Sequence, residues 1–169
     1  NRARGRNLGV GAAKNEIILF LESTLEISPG LLYRHLEAYG DEATAAVMGE
    51  IYLSAFVKKN RWFRFLDSDY RSTRRWAAQT GSNHSPPLRY VNTSNFSIRK
   101  KIFEAFGGYA EHVDHHEAED IDLAHRISAQ PQHQIHFSPE AVAYCLHNSL
   151  RDSLTKKYEF GKEGIPKLL

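Results

Sequence analysis

Apolar residues occur along the chain in short blocks, several of which are too short to form free-standing helices. "EIILFL" (16–21) and "AAVMGEIYLS" (45–54) are rich in aliphatic residues and predict strands, the first of them central and parallel. "YVNTSNFSIRK" (90–100) alternates apolar with polar residues and predicts a strand or extended segment. "HQIHFSPEAVAYCLH" (133–147) predicts one or two further short strands.

Longer segments with helical spacing lie between these strands. In "SPGLLYRHLEAYG" (28–40), Ser28 suits the N-cap, and Leu32, Leu36 and Tyr39 share one face. The predicted helices cover 5–15, 28–40, 55–79, 99–109, 118–130 and 149–164. Strands that alternate with helices indicate an α/β fold.

Composition narrows the class of protein. A chain of 169 residues fits one domain, and 22 basic against 20 acidic residues give a net charge of +2, too balanced to indicate a nucleic-acid partner. Cys145 is the only cysteine, which excludes an intrachain disulfide. No apolar run approaches the roughly 20 residues of a membrane span. We expect a cytoplasmic protein.

A basic and aromatic segment, "KKNRWFRFLDSDYRSTRRW" (58–76), resembles nucleic-acid-binding sequences in composition. At this net charge, an amphipathic helix is the better interpretation, either covering the sheet edge or lying on an anionic membrane surface. The second alternative would place the protein at the inner face of the membrane.

Three acids, Glu119, Asp120 and Asp122, stand where a polar loop enters a predicted helix. Acids in a first turn are favoured by the helix dipole, at roughly 0.3–1 kcal/mol each. A carboxylate facing a cleft at such a place can also take a proton from a substrate hydroxyl. The preceding loop, "HVDHHE" (112–117), lacks the spacing of a zinc site, so an acceptor-binding or flexible loop is the better interpretation.

The strand 16–21 ends in Glu22, Ser23 and Thr24. In open α/β sheets, ligands bind beyond the carboxyl ends of strands. Oxygen groups at this position could hold a hard cation such as Mg²⁺, or a sugar hydroxyl.

Four stretches, in this order and spacing, resemble a family 2 glycosyltransferase of the GT-A fold. They are "RGRNLGVGAAKNEIILFLESTLEISPGLL", "VNTSNFSIRKKIFEAFGGYAEH", "AEDIDLAHRI" and "YCLHNSLRDSLTKKYEFGKEG". The resemblance implies one partial GT-A domain over 1–169, with a mixed sheet flanked by helices and a C-terminal amphipathic helix over 150–169. It also implies that the family's nucleotide-binding half, which precedes the first stretch, is missing from this chain.

The implied reaction is an inverting transfer from a nucleotide sugar to a hydroxyl of a glycan or glycolipid. Asp120 would be the base and Glu119 its neighbour. The implied substrate-binding residues are Glu22, Thr24, Arg6, Asn7, Asn95 and Arg126. Arg126 is explained equally well by an i, i+4 ion pair with Asp122.

The family's Asp-x-Asp motif, which holds a divalent cation, is replaced here by Glu22-Ser23-Thr24. Glu22, Thr24 and His147 are the candidate ligands for Mg²⁺ or Mn²⁺, but a neutral hydroxyl is a poor substitute for a carboxylate. Catalysis without a bound cation is therefore an alternative. A degenerate domain that binds glycan or protein without catalysis is another, and an exposed sheet edge that drives dimerisation is a third.

Overall fold

A computed structural model describes residues 1–67, 73–81, 85–113 and 118–168. Within these residues, five strands form one sheet in the order β1-β4-β3-β5-β2. The strands are β1 Ile17–Leu21, β2 Leu25–Ile27, β3 Thr44–Leu53, β4 Asn95–Arg99 and β5 Gln134–Cys145. β3 pairs in parallel with β5, and the other three pairings are antiparallel. The predicted α/β class with a mixed sheet flanked by helices is confirmed.

The described helices are α1 Arg2–Ala12, α2 Leu31–Glu37, α3 Arg61–Leu66, α4 Thr73–Thr80, α5 Lys100–Ala105, α6 Ala118–Ser128 and α7 Leu150–Glu159. α1, α5 and α6 cover one face of the sheet with a continuous apolar core, in which Phe96 and Ile98 of β4 are fully buried. α2 packs against the opposite face. No helix in the described ranges is long and apolar enough to cross a membrane.

The position predicted for β1 is wrong. It is an edge strand that pairs antiparallel with β4, and it is partly exposed. An apolar run indicates that the faces of a strand are covered, and here Ile18 and Phe20 pack against the core. It does not indicate whether other strands pair with both edges. The three-residue β2 was not predicted, because it is short and its strand geometry depends on pairing with β5.

The predicted start of α2 is also wrong, and the face that Leu32 and Leu36 share is the exposed one. The helix begins after Gly30, which is the N-cap and has a φ of +86°. Ser28, the predicted N-cap, lies two residues earlier. Leu31 and His35 are buried, whereas Leu32 and Leu36 are each 56% exposed. The period is helical, but the inward face carries a histidine, which an apolar pattern cannot detect.

The predicted helix 55–79 is divided into a 3₁₀ turn at Val57–Lys59 followed by α3 and α4; residues 68–72 lie outside the described part. The C-terminal helix changes pitch after Glu159, into a π-turn at Phe160–Gly164 and a 3₁₀ turn at Ile165–Lys167. The single helix predicted over 150–169 is therefore wrong after Glu159.

A buried polar network crosses the sheet beneath α2. His35 Nε2 lies 2.9 Å from Asn95 Oδ1, and His35 Nδ1 lies 2.9 Å from Ser97 Oγ. Asn95 Nδ2 donates to the carbonyl oxygens of Glu50 and Ala141, at 3.2 and 2.8 Å. These two carbonyls flank a register shift between β3 and β5, so Asn95 satisfies backbone acceptors that the irregular ladder leaves open.

Gly49 makes room for this network, because a Cβ there would lie 2.2 Å from Asn95 Nδ2 and 2.4 Å from the Ala141 carbonyl oxygen. We therefore expect Gly49→Ala to lower the free energy of unfolding by about 2 kcal/mol in urea denaturation. The control is Gly9→Ala on α1, where no heavy atom lies within 4 Å. It should leave stability unchanged or raise it by up to about 1 kcal/mol. Equal stability of the Gly49→Ala variant and the parent would contradict this account.

Candidate active site

Two arginines one turn apart on α1 face two acids at the start of α6. Arg2 Nη2 lies 2.5 Å from Glu119 Oε1. Arg6 Nη1 lies 3.3 Å from Asp120 Oδ1 and 3.6 Å from Glu119 Oε1. The i, i+4 spacing places both guanidinium groups on one side of α1, so one helix offsets the charge of two adjacent carboxylates.

Asp120 is 6% exposed and is held by the segment before β4. The hydroxyl of Thr93 donates to Asp120 Oδ1, and the Thr93 backbone N–H donates to Oδ2 at 3.2 Å. Burial raises the pKa of Asp120, and the Thr93 hydrogen bonds and the charge of Arg6 oppose that rise. Both oxygens are thereby fixed in position.

Glu119 is 1% exposed and lies beside Asp120. Its Oε1 is paired with Arg2, whereas its Oε2 has no hydrogen-bond partner within the described residues. Burial raises the pKa of Glu119, and the adjacent charge of Asp120 raises it further. The charges of Arg2 and Arg6 oppose that rise.

The acids open onto a cavity of about 320 Å³, which we call the catalytic cavity. Four residues predicted from the sequence, Arg6, Glu22, Glu119 and Asp120, meet there. The other lining residues are Arg2, Ser23, Asn92, Ser94 and Lys156. Glu22 is held at the rim because its backbone N–H donates to the Ser94 carbonyl oxygen at 2.9 Å.

Two other predicted substrate-binding residues lie outside the catalytic cavity. Asn95 is fully buried in the network beneath α2. Asn7 binds the backbone of Tyr109: its Nδ2 donates to the carbonyl oxygen and its Oδ1 accepts the N–H, both at 2.9 Å. Tyr109 in turn lies under Arg6, whose guanidinium carbon is 5.0 Å from the ring centroid. Asn7 therefore supports Arg6 indirectly.

Arg126 also lies away from the catalytic cavity. Its guanidinium pairs with Asp122 at 2.6 Å and donates to the carbonyl oxygens of Phe106 and Gly108. Gly107 and Gly108 have φ of +77° and +66° and close the end of α5. Arg126 thus satisfies the carbonyls of the turn that carries Tyr109.

The predicted cation ligands do not form a cluster. Thr24 and His147 are exposed, and neither lines the catalytic cavity. Among residues 1–67, 73–81, 85–113 and 118–168, no three His, Cys, Asp or Glu side chains lie close enough to hold a metal ion. Residues 22–24 supply one carboxylate, from Glu22, and two neutral hydroxyls, so by themselves they do not form an all-protein site for Mg²⁺ or Mn²⁺. Residues 114–117, on which the zinc alternative depended, lie outside the described part.

Three residues of the site were not singled out in the sequence: Arg2 and Lys156, which line the catalytic cavity, and Thr93, which donates to Asp120. Arg2 could have been found, because it stands one helical turn before Arg6. Thr93 sits in a polar stretch among other hydrogen-bonding residues, and Lys156 is one of several lysines on α7. Only tertiary contacts distinguish these two.

A family model supplies the comparison with known proteins. The model of glycosyl transferase family 2 matches residues 1–107, more than half of the chain. The chain belongs to glycosyl transferase family 2. Members of this family generally bind nucleotide-sugar donors and acceptors, and membership indicates glycosyltransferase activity. The mixed sheet flanked by helices is consistent with a partial GT-A fold.

The match ends at Gly107, before Glu119 and Asp120, so the roles of these two residues stay predictions. The prediction that a nucleotide-binding half is missing before residue 1 also stays a prediction. No curated protein matches the chain.

Removing the Asn7 amide should destabilise the fold, because the Tyr109 N–H and carbonyl groups that it satisfies would lose their partner. We expect Asn7→Ala to lower the free energy of unfolding by about 1–3 kcal/mol. Asn15→Ala, at an exposed position beyond α1, is the control and should change stability by less than about 0.5 kcal/mol. Urea denaturation of both variants tests this. Equal effects would exclude the structural role of Asn7.

Proposed function

We propose that this family 2 glycosyltransferase transfers a sugar, with inversion, from a nucleotide sugar to a hydroxyl of a glycan or glycolipid. Asp120 acts as the base. The observation that supports this most strongly is the buried carboxylate pair at the start of α6, which opens onto a cavity lined by three basic side chains.

The transfer requires a base on one side of the sugar. In the proposed step, Asp120 takes the proton of the acceptor hydroxyl while that oxygen forms a bond to the anomeric carbon. The bond from this carbon to the diphosphate oxygen breaks, and the diphosphate leaves with the electron pair. A carboxylate with a raised pKa is a stronger base than an exposed one, and the hydrogen bonds from Thr93 keep it oriented.

The leaving diphosphate requires positive charge. Arg2, Arg6 and Lys156 line the same cavity as Asp120 and would supply it, because a donor in that cavity meets all three. Glu22, at the rim, is suited to accept hydrogen bonds from sugar hydroxyls. The proposed steps use only these side chains.

A second function remains an alternative: a domain that binds glycan or protein without catalysis. It is favoured by one observation, the replacement of the Asp-x-Asp acids by Glu22-Ser23-Thr24. The two functions differ in whether the carboxylate of Asp120 matters for turnover, which can be measured directly.

Asp120→Asn should lower the transfer rate by about 100-fold or more, because the amide cannot accept the acceptor proton. The rate is measured as release of nucleotide diphosphate from a panel of nucleotide sugars, with and without added acceptors. The control is Asp122→Asn on the same helix, which lies outside the catalytic cavity and whose amide oxygen can still accept from Arg126. It should retain most of the activity.

No turnover by the parent with any donor would overturn the enzymatic proposal in favour of the binding domain. Turnover that the Asp120→Asn variant retains, at unchanged thermal stability, would show that another group is the base.

A further inference from the structure

A second cavity, of about 460 Å³, lies between α3 and α7. We call it the outer cleft. Asn92 and Lys156 line both the outer cleft and the catalytic cavity, so the two adjoin. A third cavity, of about 370 Å³, also adjoins the outer cleft, because Leu66, Asn148 and Lys157 line both. Each lies within the usual range of ligand sites, roughly 300–1,000 Å³.

The outer cleft carries an aromatic surface. Trp62 lines it and is 41% exposed, and Leu154 of α7 lies opposite on the other helix. The Trp62 ring packs against Phe65 at 6.2 Å between centroids. Its backbone N–H donates to Asn60 Oδ1 at 2.9 Å, which caps α3. The backbone of Trp62 is therefore fixed at the start of α3, and its indole packs on Phe65 while the residue stays partly exposed.

The helix that carries Trp62 is anchored at its other end as well. Asp67 Oδ1 accepts the N–H of Leu53, at the end of β3, at 3.3 Å. Asp67 Oδ2 pairs with Lys58 at 3.1 Å. These contacts fix α3 to the sheet, so the cleft is a feature of the folded scaffold rather than of a loose segment.

Two amide side chains line the same cleft with their oxygen atoms already engaged. Asn92 Oδ1 accepts the N–H of Ser94 at 2.7 Å, and Asn148 Oδ1 accepts the hydroxyl of Ser153 at 2.8 Å. These bonds fix the orientation of each amide, which leaves its NH₂ group as a donor. The cleft thus combines an aromatic face with oriented hydrogen-bond donors.

A sugar ring has the complementary surface: an apolar face of C–H groups and an edge of hydroxyl oxygens. It can lie flat on an indole while its hydroxyls accept from amide NH₂ groups. Because the cleft adjoins Asp120, its occupant would be the molecule that presents the attacking hydroxyl. The outer cleft and the two cavities beside it together offer more room than one monosaccharide fills.

We infer that the outer cleft binds the acceptor as an oligosaccharide chain, with Trp62 stacked on a sugar ring that lies beyond the one receiving the new sugar. This inference rests on the proposed function for the direction of the chain. An anionic membrane surface is the competing occupant, given the exposed apolar and basic residues of α3 and α7. The cleft is concave and lined by amides, whereas membrane-binding helices present protruding apolar faces.

The chain has two tryptophans, Trp62 and Trp76, which allows a direct test. Trp76 packs against Phe137 in the core, so Trp76→Phe keeps an aromatic ring there and leaves Trp62 as the only indole reporter. The fluorescence emission of Trp62 is followed while this variant is titrated with tetrasaccharides of glucose (α- and β-linked), mannose and N-acetylglucosamine. Separate titrations use the matching monosaccharides and vesicles containing anionic lipid.

We expect at least one tetrasaccharide to change the Trp62 emission saturably, with its monosaccharide binding about tenfold more weakly or worse. Asn148→Ala in the same background should weaken tetrasaccharide binding by about fivefold. Asp122→Asn, which lines neither cavity, should leave tetrasaccharide binding intact. Tetrasaccharide binding by a parent that shows no turnover would sink the proposed function and keep the cleft as a glycan site. No response to any tetrasaccharide would overturn the inference, and a response to anionic vesicles alone would overturn it in favour of a membrane.

Discussion

Two adjacent carboxylates buried at the start of one helix place the strongest constraint on this fold. Removing Glu119 and Asp120 from water is expensive unless their charge is offset and their oxygen atoms are hydrogen-bonded. The offset comes from Arg2 and Arg6 of α1 and the hydrogen bonds from Thr93 before β4. Two elements far from α6 in sequence are thereby fixed against it.

The residues around the two acids are themselves held in place by a further set of contacts. Arg6 lies over Tyr109, whose backbone is bound by Asn7, and the turn before Tyr109 is bound by Arg126. Asn7 and Arg126, two of the predicted substrate-binding residues, thus support the structure around the acids. Such support matters for catalysis, since a base must be held within hydrogen-bond reach of the group it deprotonates. The basic residues that offset the acids line the cavity in which a diphosphate would need positive charge.

The sequence predicted much of this fold because local signals agreed with it. The helix that begins at Ala118, the glycine stop after α5 and the strand at β3 all carry strong local patterns. The edge position of β1 and the buried His35 depend on tertiary pairing, which hydrophobic periodicity does not encode. Glu119 and Asp120 were predicted because acids cluster at a helix start, whereas Thr93 meets Asp120, and Lys156 lines the cavity, only through folding.

The titration of Asp120 itself tests the central claim most directly. Carbon-13 NMR of protein labelled at aspartate carboxyl groups, with the Asp120 signal assigned from the Asp120→Asn variant, reports its pKa. We predict a midpoint clearly above the ordinary value of about 4, rising further in Thr93→Val, which removes the hydroxyl that favours the ionised form. An Asp120 signal that titrates at or below about 4, and is unmoved in Thr93→Val, would contradict the account of a buried carboxylate base.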